Sequence, residues 1–177
     1  MNSIIKRVSI TGPESTGKTD LARQLANHYQ TLWVPEVARD YLSHLDKPYA
    51  LEDISRIAKK QLEIENNIAS TADRLLFCDT DLLVTKVWSN WKYGKCDPWI
   101  DQAVRDHRYD LYLLCNIDLS WEQDPLREHP DKREELFNQY LIELHQLKVN
   151  YKIISGLGDT RLKHAIFAVE KAFKLNV

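Results

Sequence analysis

An α/β fold with a mainly parallel sheet is what this sequence predicts, and three observations predict it. Short apolar or β-branched runs alternate with segments whose apolar residues recur at helical spacing. Residues 12–19, GPESTGKT, fit the pattern G-x-x-x-x-G-K-[ST], with the β-branched run Val8-Ser9-Ile10-Thr11 before them and Leu21, Ala22, Leu25 and Ala26 in helical register after. No internal repeat, low-complexity tract or linker divides the 177 residues, so they read as one domain, 1–177. A chain of that length buries about 70% of its unfolded surface.

The expected strands are 7–11, 31–34, 75–78, 111–115 and 151–154. Between the second and third, Leu51, Ile54, Ala58, Leu62, Glu65 and Ile68 trace one stripe of a long helix. Phe137, Tyr140, Leu141, Leu144 and Leu147 mark another helix, and Ala165, Ile166, Val169 and Phe173 a terminal one. In such a sheet ligands bind outside the carboxyl ends of the strands, so the residues that follow each strand carry the chemistry.

After the first strand comes a P-loop. Gly12 and Gly17 permit backbone angles that let successive N–H groups turn inward around phosphate oxygens. A helix beginning near Lys18 adds its N-terminal partial charge and free donors. Lys18 is placed to reach the terminal phosphates, and the hydroxyl of Thr19 to ligate the magnesium that accompanies a triphosphate. Gly12, Glu14, Ser15, Thr16, Gly17, Lys18 and Thr19 are the candidate nucleotide-binding set.

After the second strand, Glu36 and Arg39 share a side if a helix begins there. The plainer alternative is a helix-start carboxylate and a surface ion pair. After the third strand, Asp79 and Asp81 close an apolar run; a carboxylate here holds magnesium or accepts a proton, the plainer alternative being that Asp79 only caps a helix, while Asp81 reads as an N-cap or a first-turn residue. After the fourth strand, residues 116–133 are charged, carry two prolines and have little apolar content, which reads as a mobile lid at about 118–133. Arg127 and Arg133 are its candidate phosphate-covering cations, since phosphoryl transfer needs the site closed and its charge offset. The remaining charges there read as a solvated face.

Residues 85–100 crowd Trp88, Trp91, Tyr93 and Trp99 into a polar stretch with no clean period over its whole length. Core packing accounts for Trp99; Trp88, Trp91 and Tyr93 are candidates to sandwich a flat ring.

Composition excludes several classes. A balance of 24 basic and 26 acidic residues gives a net charge of −2, with no basic excess for nucleic acid. Six scattered histidines include no metal-binding pair, and three cysteines without C-x-x-C fit a reducing cytoplasm. No signal peptide is expected before the first strand, and no apolar stretch in the sequence approaches membrane-spanning length.

Four segments taken together, GPESTGKT (12–19), VPEVARDYL (34–42), FCDTDLLVTKVW (77–88) and YDLYLLCNIDLSWEQDPLREHP (109–130), resemble the ribosylnicotinamide kinase domain of NadR-type proteins. The resemblance implies a fold like that of nucleoside and nucleoside-monophosphate kinases, with five parallel strands and a lid. It implies ATP and Mg2+ as cofactors and phosphorylation of nicotinamide riboside on its 5′-hydroxyl. In that reading Lys18, Thr19 and the loop amides align the triphosphate, Glu36 or Asp79 takes the hydroxyl proton, and Arg127 and Arg133 offset charge. Glu36, Arg39, Asp79, Asp81, Trp88, Trp91 and Tyr93 then face the acceptor. Two departures stand out. The adenylyltransferase domain that usually precedes the kinase in that family is expected to be absent. The family's lid also usually reads Asp-Gly, where this chain has Asp124-Pro125, and proline cannot supply a left-handed turn residue. Another nucleoside as acceptor, or a regulatory nucleotide switch, are the rival readings.

Overall fold

The computed structural model describes residues 5–175. Five strands, β1 (Lys6–Thr11), β2 (Leu32–Val34), β3 (Leu75–Asp79), β4 (Leu111–Cys115) and β5 (Tyr151–Ile154), form one sheet in the order β2-β3-β1-β4-β5. Every pairing is parallel, with Val8 opposite both Phe77 and Leu111 at the centre. The near-continuous apolar runs of β3 and β4 are what a sheet covered on both faces requires. Each expected strand is present, within one residue at each end.

Among the described residues seven helices surround the sheet: α1 (Lys18–Tyr29), α2 (Val37–Ser43), α3 (Leu51–Ala69), α4 (Leu82–Tyr93), α5 (Pro98–Asp106), α6 (Arg133–Leu147) and α7 (Gly158–Phe173). α1 and α7 pack on one face, where Leu21, Leu25, Ala165 and Val169 meet Ile10, Phe77 and Leu113. α3, α4, α5 and α6 pack on the opposite face, where Ile54, Leu83, Ile100 and Leu144 meet Val34, Leu76 and Leu114, and α2 packs against α3. Alternate residues of each strand feed the two cores, the period-2 rule at work.

The aperiodic tryptophan segment resolves into two helices. α4 ends on Gly94 at φ +64°, and α5 begins at Pro98 under a cap from Asp97, whose side chain accepts from the N–H of Trp99. The register breaks between them, so no single period spans the stretch. The topology leaves a crevice outside the carboxyl ends of β1 and β4, where the connections diverge to opposite sides.

Candidate active site

A cavity of about 520 Å³ occupies that crevice. The whole run from Gly12 to Asp20 forms one wall; Glu36 and Arg39, then Trp88 and Trp91, form others, and the lid roofs it. The loop's shape needs its glycines. Gly12 sits at φ +130°, and a Cβ there would lie 3.0 Å from the carbonyl oxygen of Cys115. Gly17 sits at φ +70°, where a Cβ would meet Leu119 at 2.8 Å. Lys18 Nζ donates to the carbonyl of Pro13 at 2.7 Å, and the Thr16 hydroxyl donates to the same oxygen at 2.8 Å. The ammonium is therefore folded onto the loop, at the first residue of α1.

Glu14 and Ser15 grip the lid. Glu14 Oε2 accepts from the backbone N–H groups of Glu128 at 3.1 Å and His129 at 3.2 Å. The Ser15 hydroxyl accepts from the Glu122 N–H at 2.9 Å and from Arg127 Nη1 at 3.3 Å. The Ser15 carbonyl accepts from Arg133 Nη1 at 3.2 Å. Arg127 lines the cavity, whereas Arg133 does not. Arg133 is the first residue of α6 rather than part of the lid, and its guanidinium is spent on the carbonyls of Ser15 and Leu119. The irregular segment therefore ends at Lys132, one residue earlier than expected.

Pro125 fits where glycine was expected. The Asp124 carbonyl accepts from the Arg127 N–H at 3.0 Å, closing a turn with proline at its second position. The Asp124 side chain accepts from the Leu126 N–H at 2.9 Å and pairs with Arg39 Nη1 at 2.7 Å. No residue of the turn has positive φ, so no glycine is required.

The carboxylates separate into two environments. Glu36 is the N-cap residue of α2, its side chain does not cap the helix, and it lines the cavity. Asp79 ends β3 fully buried, neither of its oxygens has a hydrogen-bond partner, and it does not line the cavity, in contrast to its expected place facing the acceptor. Burial first, and then the Glu36 charge, push its pKa up to about 6; the nearby Thr19 hydroxyl, Lys18 and Arg39 pull it back. Asp81 faces the other way. It is fully buried, takes hydrogen bonds from Ser9 at 2.6 Å and Thr11 at 3.4 Å, and caps α4 through the Val84 N–H. Asp81 is a structural carboxylate and does not line the cavity, which corrects its expected place beside an acceptor.

The aromatics also divide. Trp88 and Trp91 line the cavity, while Tyr93 turns away, donating its hydroxyl to the Tyr49 carbonyl at 3.0 Å. Tyr93 is thus removed from the ring-contacting set. Trp99 packs against the core, as expected, with Lys59 Nζ 5.3 Å from its ring centroid.

Two groups escaped the sequence reading. Arg161, nearly buried, donates to the Thr16 carbonyl at 2.6 Å and to Asp118 at 2.6 Å, joining α7 to the P-loop and the base of the lid. A cation in the first turn of a helix opposes the macrodipole, and that was the available signal. Tyr49 lines the cavity from the α2–α3 connection, where nothing in its local pattern marked it.

Among the described residues, no group of three or more His, Cys, Asp or Glu side chains is placed to hold a metal ion, and no helix is long and apolar enough to cross a membrane.

Comparison with known proteins agrees with this architecture. A family model described as an AAA domain matches residues 7–161. The trifunctional NAD biosynthesis/regulator protein NadR of Escherichia coli (strain K12) is 31% identical over 147 residues, covering 79% of this chain and 35% of that protein. A crystal structure of NadR protein in complex with NR superimposes with a TM-score of 0.84 at 25% identity, covering 98% of this chain and 53% of that one. A NadR structure in complex with NAD and AMP-PNP has a TM-score of 0.80 at 24% identity, covering 98% of this chain and 51% of that chain, and speaks to the fold. This chain thus spans about a third of the curated relative and about half of the solved ones. With its P-loop, parallel sheet and family match over residues 7–161, the chain belongs to the AAA-domain family.

Proposed function

We propose that this chain is an ATP-dependent, cytoplasmic small-molecule kinase that phosphorylates the 5′-hydroxyl of nicotinamide riboside to give nicotinamide mononucleotide. The observation that carries the proposal is one cavity lined by a P-loop, by Glu36 and Arg39 and by two tryptophans. A phosphate anchor alone fits any nucleotide-binding protein; aromatic side chains lining the same cavity fit an acceptor ring. Solved NadR relatives hold NR in one case and NAD with AMP-PNP in the other, and these ligand chemistries suit the two ends of the cavity.

Phosphoryl transfer asks the protein for positioning and charge compensation. The loop amides and Lys18 align the triphosphate, Lys18 exchanging the Pro13 carbonyl for phosphate oxygens. Arg127, already at the cavity wall, offsets charge on the transferred group, while Arg133 holds the loop and lid together. The acceptor oxygen bonds to the γ-phosphorus as the bond to the bridging oxygen breaks, and ADP departs with that electron pair. The hydroxyl proton passes to Glu36 or Asp79. The residues fit Mg2+: both Asp79 oxygens lack partners, and the Thr19 hydroxyl lies beside them. Two protein oxygens suffice for an ion that keeps waters and takes phosphate ligands. When bound, Mg2+ supplies charge neutralisation of the triphosphate. The three cysteines are free, two of them buried, which suits a reducing compartment.

The test compares affinities for nicotinamide riboside and an uncharged isostere across Trp88→Leu and Trp91→Leu. A π face attracts a pyridinium cation, worth about 0.5–2 kcal/mol. At least one variant is expected to narrow the gap between the two ligands. Loss of thermal stability alone, with the preference intact in both variants, would count against this acceptor.

A further inference from the structure

Three segments distant in sequence meet around the Tyr49 hydroxyl: Tyr49 from the α2–α3 connection, Trp88 and Lys92 from α4, and Glu128 from the lid. The Tyr49 hydroxyl donates to Glu128 Oε2 at 2.9 Å and accepts from Trp88 Nε1 at 3.0 Å and Lys92 Nζ at 2.6 Å. One donor and two lone pairs are all a phenol has, so this hydroxyl is saturated. Lys92 Nζ also donates to both oxygens of Glu128, at 2.8 and 3.0 Å, and lies 3.8 Å from the Tyr49 ring centroid. The Lys92–Glu128 pair is about a third exposed on each side and is weak alone; the phenol fixes its geometry.

Glu128 is the unusual member. Its backbone N–H is held by Glu14 of the P-loop at 3.1 Å, and its carboxylate by Tyr49 and Lys92 on the acceptor wall. One lid residue thus touches both the P-loop and the Tyr49–Trp88 cluster. The Trp88 indole, which lines the cavity, is fixed through the same phenol. Movement of that indole breaks the Tyr49 contact and loosens Glu128.

We propose that Tyr49, Lys92 and Glu128 form a latch that couples closure of the lid over the nucleotide to occupation of the acceptor pocket, with Tyr49 as the positioning residue that sets the Trp88 wall. An acceptor ring braces Trp88, the phenol holds Glu128, and the lid shuts water out when both substrates are in place. The latch favours transfer to the acceptor over transfer to water. Its acceptor rests on the nicotinamide riboside kinase reading, whereas its mechanical part does not.

Tyr49→Phe keeps the ring and removes the hydroxyl; Lys92→Met removes the other rim contact. Three quantities are read in each variant and in the wild type: KM for ATP and for nicotinamide riboside, the ratio of ADP to phosphorylated acceptor, and hydrogen exchange of residues 120–130 with AMP-PNP, with and without acceptor. Tyr49→Phe should raise the acceptor KM about tenfold, the loss expected for one good hydrogen bond, and leave the ATP KM within about twofold. The ADP ratio should rise above one, and acceptor-induced protection of the lid should fade. Equal changes in both KM values, or an unchanged ratio with unchanged lid protection, overturn the latch. If the wild type phosphorylates a different nucleoside, the substrate assignment fails and the same measurements are made with that nucleoside. If it phosphorylates none, lid exchange with AMP-PNP decides: faster exchange in both variants supports the latch, and wild-type exchange rejects it.

Discussion

Arg161 Nη2 stands 2.6 Å from the carbonyl oxygen of Thr16, tying the first turn of α7 to the middle of the P-loop. The same side chain reaches Asp118, Gly156 and Asn116, so it fixes the loop against the base of the lid. Arg161 is buried but Asp118 is exposed, so removing the guanidinium costs mainly the carbonyl partners left unmet, about 1–3 kcal/mol. Arg161→Met should lower thermal stability sharply. Arg161→Lys keeps the charge but cannot reach as many partners. It should melt between the two, with a KM for ATP raised several-fold. Isothermal titration with AMP-PNP and a melting curve check both; wild-type nucleotide affinity in a folded Arg161→Lys protein would refute the tie.

Asp79 should destabilise the ligand-free protein at neutral pH. Its carboxyl titrates near 3.8 when exposed and near 6 in the fold, so the folded state is the better proton binder between those values. The stability advantage of the protonated form is complete below about pH 4 and is lost as the pH rises through about 6. Asp79→Asn removes that dependence. At pH 7.5 it should unfold at higher denaturant than the wild type, by on the order of 1–2 kcal/mol, less than the roughly 3 kcal/mol full shift because the amide is still buried. The difference should shrink as the pH falls from 6 to 4. Asp81, also raised to about 6 by burial, contributes equally to both proteins and cancels in the comparison. The same variant should need more Mg2+ for half-maximal activity.

Glu36 and Asp79 share the proton-transfer question, because the Glu36 charge helps raise Asp79. If Glu36 is the base, Glu36→Gln should lower kcat by about 10²–10⁴ while AMP-PNP affinity persists. A kcat within twofold of wild type would assign the proton to Asp79.

Much of this was legible in the sequence, and the misses have specific causes. Strands β3 and β4 are apolar throughout because helices cover both their faces, so their bounds could be read directly. The P-loop was legible because its glycines, lysine and threonine each answer a local demand. Asp81 was legible as a helix cap, and it caps α4; Asp79 was not settled, because a carboxylate at a strand end looks the same whether it holds a metal, takes a proton or caps a helix. Tyr93 misled because α4 carries it to the side away from the cavity, a fact set by the helix bounds that Gly94 defines. Tyr49 and Arg161 act across more than 35 residues of chain, on Glu128 and Thr16, and no local pattern carries such contacts.

Lys18 donates to the Pro13 carbonyl at 2.7 Å, a contact that phosphate oxygens replace at little cost. Lys18→Ala should therefore keep its melting temperature within a few degrees and lose at least about 10²-fold in turnover, the scale of one preorganised charge contact. Circular dichroism and steady-state rates measured together decide the point, and near-wild-type turnover would contradict the assigned role.

The most direct measurement is product analysis from a single competition. The protein is incubated with ATP, Mg2+ and an equimolar mixture of nicotinamide riboside and the common nucleosides, and the products are followed by phosphorus NMR and mass spectrometry. The account predicts one new phosphomonoester, nicotinamide mononucleotide, formed in step with ADP. Phosphorylation of another nucleoside in preference, or ATP turnover to inorganic phosphate with no phosphorylated acceptor, would contradict it.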